Sequence, residues 1–179
     1  MQTQNFWDDK LYQDEKILKD FSVGKGYIYY YLILSTIIFL LFFSGSMYLV
    51  FVFKTYVFLI MTIIIYVGAI FYFIYYLPAS YRYALTNKRV LIKEGWANTH
   101  TITIDYDSIT DIRVYSSIIN KIFCKTAVVY INTAGGKGVE GTLKNIQDPY
   151  EIKKLINQQT NLYKYQKPTT QTYTNQNNQ

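Results

Sequence analysis

The sequence predicts a membrane α-helical hairpin followed by a small α+β domain, an antiparallel sheet capped by a C-terminal helix. Three observations carry this. From Tyr27 to Leu77 the chain runs 51 residues with a single charged side chain, Lys54. Beyond Pro78 the apolar residues alternate with a period of two, the spacing of half-buried strands. Near the end, Asp148, Pro149 and Glu151 supply an N-cap, a proline at the first helical position and an acid three residues after the cap.

Residues 1–26 form a juxtamembrane arm. Ile17, Phe21 and Val23 fall on one side of an extended chain, whereas Trp7, Leu11 and Leu18 suit a helix face, so period alone does not choose between them. Whether residues 14–23 join the sheet stays open. Gly24 and Gly26 let the arm bend into the apolar segment.

The segment 27–77 is too long for one span. A single helix of that length would reach about 76 Å, against an apolar layer of roughly 30 Å that about 20 residues cross. The turn is placed between Ser44 and Thr55, because Ser44, Gly45 and Ser46 loosen a helix and Lys54 demands water, giving spans near 27–46 and 56–77. Tyr27, Tyr29, Tyr30 and Tyr31 at one end and Tyr72, Tyr75, Tyr76 and Tyr81 at the other suit headgroup level. Lys10, Lys16, Lys19 and Lys25 precede the spans, Arg82, Lys88, Arg89 and Lys93 follow them, and Lys54 alone lies between, which places both termini in the cytoplasm. A cleaved leader is the competing reading; five acids ahead of the first span and a second span directly after it argue against it. The spans hold no Asp, Glu, Arg or His, so a transport path has little support. Ser35, Thr36, Thr62, Gly68 and Ala69 suit helix packing, within the hairpin or between chains.

The segment 78–161 is the folded domain. "SYRYALT" and "KRVLIKEG" flank a turn, "NTHTITI" alternates strictly, and "ITDIRVYSS", "AVVYINT" and "VEGTL" complete six candidate strands. Pro78 is expected to end the second span. Ile152, Leu155 and Ile156 give the final helix its apolar stripe. Residues 162–179, rich in Gln, Asn and Thr, read as a disordered polar tail. The net charge is +6, and the bases are concentrated after the spans, where anionic lipid attracts them. Cys124 is the only cysteine, which excludes an intrachain disulfide and reads as a buried or half-buried thiol.

Two spans, then "YRYALTNKRVLIKEGW", "ITIDYDSITDIRVYSSIINKIFC", "VVYINTAGG" and "LKNIQDPYEIKKLI", resemble the bacterial pleckstrin-homology-like domain of YdbS-like membrane proteins. The resemblance covers about Asp14 to Gln159 and rests on the order of these motifs. It implies a pleckstrin-like curved antiparallel sheet with a C-terminal helix, and it implies no catalytic site.

The chemistry-bearing residues fit binding better than catalysis. His100 falls on the apolar face of a strand and reads as a core histidine, while Asp105, Asp107 and Asp111 read as turn acids. "TAGGKG" lacks the glycine spacing and following hydroxyl of a phosphate loop. Strand parity is more informative. If the first strand leaves the bilayer near Ser80, then 87–89, 105–107 and 135–137 lie far from it, and 94–98, 116–125 and Lys144 lie near it. In "SSIINKIFCK", Ile118, Ile119, Ile122 and Phe123 beside Lys121 and Lys125 suit a turn on the membrane surface, or a plug for the end of a β-barrel. The candidate headgroup residues are therefore Arg82, Trp96, Lys121, Lys125 and Lys144. The function expected is non-enzymatic: a membrane-integral module presenting this domain to lipid headgroups, protein partners or copies of itself. An assembly adaptor, or an accessory subunit of a transporter or membrane enzyme, is the alternative. No cofactor, metal or nucleic acid is expected, since the bases form neither a run nor a recognition helix.

Overall fold

The computed structural model describes residues 6–54, 56–135 and 139–166. Strand β1 is Ile17–Ser22 and helix α1 is Lys25–Phe53. A second helical run, Val57–Ser80, comprises α2 (Val57–Phe71), a π-helical turn (Tyr72–Tyr76) and α3 (Leu77–Ser80). At 1.5 Å per residue the two runs are about 43 and 36 Å long, and both are long and apolar enough to cross a membrane.

Two expected span ends move. The chain turns inside the expected interval, at Lys54, but Ser44, Gly45 and Ser46 do not end the first helix, which continues to Phe53. The hydroxyls turn back on their own helix, Ser46 Oγ to Phe43 O at 2.8 Å and Thr36 Oγ1 to Leu32 O at 2.8 Å, sharing carbonyls with the helical ladder without ending it. The chain leaves the helix at Lys54, which takes the left-handed cap conformation (φ 52°) with its N–H on Val50 O. Nor does Pro78 close the second run. Leu77 N–H reaches back to Tyr72 O, so the π turn just before the proline absorbs its missing donor and α3 continues to Ser80. Phe39 stacks on Tyr66 at 4.1 Å and Tyr31 on Phe73 at 5.7 Å, holding the helices together.

Among the described residues seven strands form where six were expected, because the arm contributes β1. Strands β2 (Tyr81–Thr86), β3 (Arg89–Glu94) and β4 (His100–Asp105) follow it in an antiparallel sheet of order β1-β2-β3-β4. Strands β5 (Ile109–Tyr115), β6 (Thr126–Thr133) and β7 (Val139–Gln147) make a second sheet. Ser22 faces Arg82 across β1 and β2, so the pair of apolar helices is inserted between two neighbouring strands and its outer ends lie side by side.

Tyr83, Leu85, Val90 and Ile92 from the first sheet meet Val129, Ile131 and Leu143 from the second, and helix α4 (Pro149–Gln166) adds Ile152 and Ile156 to the same core. Gly141 leaves room for the first sheet: a Cβ there would overlap Ile104 Cδ1 and stand 2.8 Å from Ile92 Cδ1. Helix α4 starts where the sequence places it, although it is the Asp148 carbonyl that accepts from the Glu151 and Ile152 N–H groups, with Asp148 at φ 51°. It also runs past 161 as far as Gln166, so residues 162–166 are helical; the rest of the predicted tail, 167–179, lies outside the described residues, as do 136–138 of the "AGGKG" turn.

The arm also builds a second, smaller core. Trp7 packs on Ala84 and Leu91, with Phe6, Leu11 and Ile17 around it, on the face of the first sheet turned away from the main core. The Glu15 carboxylate, fully buried, takes Arg89 Nε and Nη2 at 2.9 Å each, Thr86 Oγ1 at 2.7 Å and the Tyr12 N–H at 3.0 Å. Arg89 Nη2 also donates to Lys10 O at 3.0 Å, and the Tyr12 ring covers the guanidinium at 4.1 Å. This cluster straps the arm to the β2–β3 turn.

Candidate functional site

The alternation of strands gathers the turns at two ends of the domain. At one, Tyr106 Oη donates to Thr86 O at 2.8 Å and Ala134 N–H to Ser108 O at 3.0 Å, joining the turns predicted to lie far from the helices. At the other, Gly95 N–H donates to Ser80 O at 2.8 Å, the Trp96 ring lies 5.9 Å from Tyr76, and Gly24 N–H donates to Asn145 O at 2.8 Å. This second end adjoins the apolar helices and is the candidate site.

Its main feature is the connection between β5 and β6. Ser117 starts it, accepting the Asn120 N–H on Oγ at 3.2 Å and the Lys121 N–H on its carbonyl at 2.9 Å. A π-helical turn, Asn120–Cys124, follows, and Lys125 at φ 50° ends it. Asn120 Nδ2 donates to Asn145 Oδ1 at 3.2 Å, fixing the loop to β7. Cys124 points inward and is buried, which pushes its thiol pKa up. Ile118, Ile119, Ile122 and Phe123 point outward, at 77, 47, 62 and 63 % exposure. They therefore do not plug the sheet. Phe123 reaches sideways to Tyr30 of α1, with ring centroids 5.5 Å apart. Gly26, in the first turn of α1, presses on the Cys124 carbonyl: a Cβ there would stand 2.1 Å from the oxygen.

Four of the five predicted residues occupy this end, in three groups. Lys121 and Lys125 are exposed on the loop. Trp96 is exposed beside Tyr76. Lys144 is engaged internally, with its Nζ 3.1 Å from Glu94 Oε1 and 4.8 Å from the centre of the Tyr81 ring; burial pulls its pKa down, but the Glu94 carboxylate outweighs this and raises it. Arg82 stands apart, on the outer face of the first sheet opposite Lys93. His100 is exposed at the start of β4, not packed in the core, because that face of the strand is half-buried at Ile102 and buried only at Ile104.

Phe6, Lys10 and Lys93, beside Arg82, were not expected as site residues. The usable signal was Lys93, which falls in phase with the buried Arg89 and Leu91 along β3.

A family model described as Bacterial PH domain matches residues 32–160, from inside α1 to the last turns of α4. Among solved structures, a DUF1696 family protein with a pleckstrin-homology domain from Shewanella loihica PV-4 is similar at 23 % identity, covering 45 % of this chain and 70 % of that one, with a TM-score of 0.36. No curated protein matches the chain.

Proposed function

Given that the chain belongs to the bacterial PH domain family, we propose that it is a non-enzymatic, YdbS-like membrane protein whose two apolar helices span the bilayer and whose domain meets the cytoplasmic leaflet. The observation that carries this reading is the loop 116–125. Four exposed apolar side chains point away from the domain there, flanked by Lys121 and Lys125 and continuous with α1 through the Phe123–Tyr30 contact. Such a surface suits an interface whose acyl chains take the apolar groups and whose anionic headgroups take the lysines. The side-by-side ends of the helices support one cytoplasmic face for both termini, in keeping with the lysine and arginine count.

A spin label at Ile122→Cys in a Cys124→Ser background tests this in vesicles containing phosphatidylglycerol. Oxygen should relax the label more than a water-soluble nickel chelate does, and Lys121→Glu with Lys125→Glu should shift that balance toward water. Strong nickel access in the unmodified loop would refute leaflet contact.

A second reading, an assembly adaptor, draws on the apolar groove between α1 and α2. Leu41, Gly45, Ser46, Met61 and Thr62 line it, and the space over Gly45 is open. Helix faces with small residues suit close helix contact. Cross-linking of Gly45→Cys in membranes, in the Cys124→Ser background, tests it.

A further inference from the structure

Three cations meet on the outer face of the first sheet. Arg82 and Lys93 are directly opposed on β2 and β3, where like charges destabilise a ladder. Lys10 comes to the same place from the arm, its Nζ donating to Thr101 Oγ1 at 3.2 Å. All three surround one ring: the Phe6 centroid lies 4.4 Å from Lys10 Nζ, 4.7 Å from Lys93 Nζ and 5.5 Å from Arg82 Cζ. Lys93 is only 6 % exposed, and a buried cation without a partner is costly. Its Nζ donates to Ala79 O at 3.0 Å, and burial followed by Arg82 and Lys10 pulls its pKa down.

One carboxylate, Asp20, stands beside the Trp7 that meets Phe6, against three cations around that ring. Among the described residues none of the three cations is in an ion pair. Asp20 Oδ1 accepts from Trp7 Nε1 at 3.2 Å, Glu94 is turned to Lys144, and Asp8 and Asp9 are exposed in the arm. An aromatic ring has two faces and compensates three cations only in part. The site is short of negative charge, and it lies beside Ala79, in the last turn of the second apolar helix.

We infer that Lys10, Arg82 and Lys93 form a seat for the phosphate of a lipid headgroup. Arg82 offers a planar fork and the lysines point charges, the donor set that phosphate oxygens select. The lipid source follows from position, and so rests on the reading that the helices span the bilayer. Phe6 is the movable element: it fills the space among the cations and gives way to the anion.

Trp7 reports on this place, because its ring meets Phe6 edge-on at 5.0 Å, whereas the loop 116–125 lies on another part of the domain. The full chain carrying Trp96→Phe, in neutral detergent at fixed ionic strength, is titrated with dihexanoyl phosphatidylglycerol and, separately, with inorganic phosphate. Trp7 emission should change saturably with the lipid and at least tenfold less sensitively with inorganic phosphate. Arg82→Gln and Lys10→Gln should each weaken the lipid response about tenfold, the loss of a charge-assisted hydrogen bond. Arg82→Lys should retain part of it, keeping the charge but losing the fork. Slow labelling of Cys124 verifies that each variant is folded. No saturable change with either ligand, or equal response in folded Arg82→Gln, overturns the site. Equal sensitivity to both ligands overturns the lipid assignment and leaves a seat for free phosphate. None of these outcomes depends on the spin-label result at Ile122, so the site and the leaflet reading fail separately.

Discussion

Glu15→Gln removes one charge from the most enclosed ion pair in the protein and gives the sharpest prediction of stability. The carboxylate accepts four hydrogen bonds, two from Arg89 and one each from Thr86 and Tyr12. The glutamine oxygen can keep two of them. Its amide group would then face the Arg89 and Tyr12 donors, and the guanidinium, at 9 % side-chain exposure, would be left without a counter-charge. Breaking a buried pair in this way costs about 3–5 kcal/mol. For a domain of this size about 4–8 °C of midpoint accompanies each kcal/mol, so the loss should exceed about 12 °C. Cys124 provides the assay: as the one cysteine, and 2 % exposed, it becomes labelled by a fluorogenic thiol reagent only as the domain opens.

The same carboxyl sets a pH dependence. Burial alone would raise its pKa, but the hydrogen bonds from Arg89, Tyr12 and Thr86 and the charge of Arg89 outweigh burial and lower it. A carboxylate with a depressed folded pKa stabilises above its unfolded value, about 4.3, and loses that contribution as pH falls through the folded value. Intrinsic tryptophan emission, which works in acid, should show the wild type losing stability below about pH 4 more steeply than Glu15→Gln. Glu15→Gln with Arg89→Met should recover at least half of the loss, because no charge is then orphaned. A midpoint shift below about 4 °C for the single variant would refute the argument.

Other expectations follow from single contacts. Gly26→Ala places a methyl against the Cys124 carbonyl, so the start of α1 and the loop must separate; about 1–3 kcal/mol is lost and Cys124 labels faster in the native state. Lys144→Gln breaks a half-exposed pair with Glu94 and should cost under about 1 kcal/mol in the same melting assay. The raised pKa and burial of Cys124 should make its native-state labelling at pH 8 far slower than that of free cysteine, with full labelling in denaturant.

The strands after Pro78 were legible as short runs rich in β-branched and aromatic residues separated by turn residues, strictly alternating in "NTHTITI", and helix α4 because its start signals are local. The arm was not. Ile17–Ser22 pairs with Tyr81–Thr86 across the whole helical insertion, and no local pattern announces a partner so distant in sequence. The ends of the apolar helices were misplaced for a related reason. Serine and glycine break helices where water competes for the backbone, but here the hydroxyls are satisfied within the helix itself. Of the site, the loop's amphipathic composition could be read directly, whereas the pairing of Lys144 with Glu94 and the meeting of Lys10 with Arg82 need the three-dimensional register.

That register also decides how the domain can be studied apart from the helices. A fragment beginning at residue 78 lacks β1, so β2 becomes an open edge, Phe21 no longer covers Tyr83, and Ala84 and Leu91 lose Trp7. Exposed apolar edges promote association, so this fragment should aggregate. The pairing of Ser22 with Arg82 offers the alternative, since two antiparallel neighbours are joined readily by a two-residue Asn-Gly turn. A chain of residues 6–22, that turn and residues 82–166 should be soluble, show cooperative unfolding and keep Cys124 protected. If residues 78–166 alone are equally soluble and cooperative, β1 is dispensable and the helical pair is an appendage. If only the joined chain folds, the apolar hairpin is a long connection inside one sheet, and a force on the helices acts directly on β1 and on β2, which carries Arg82.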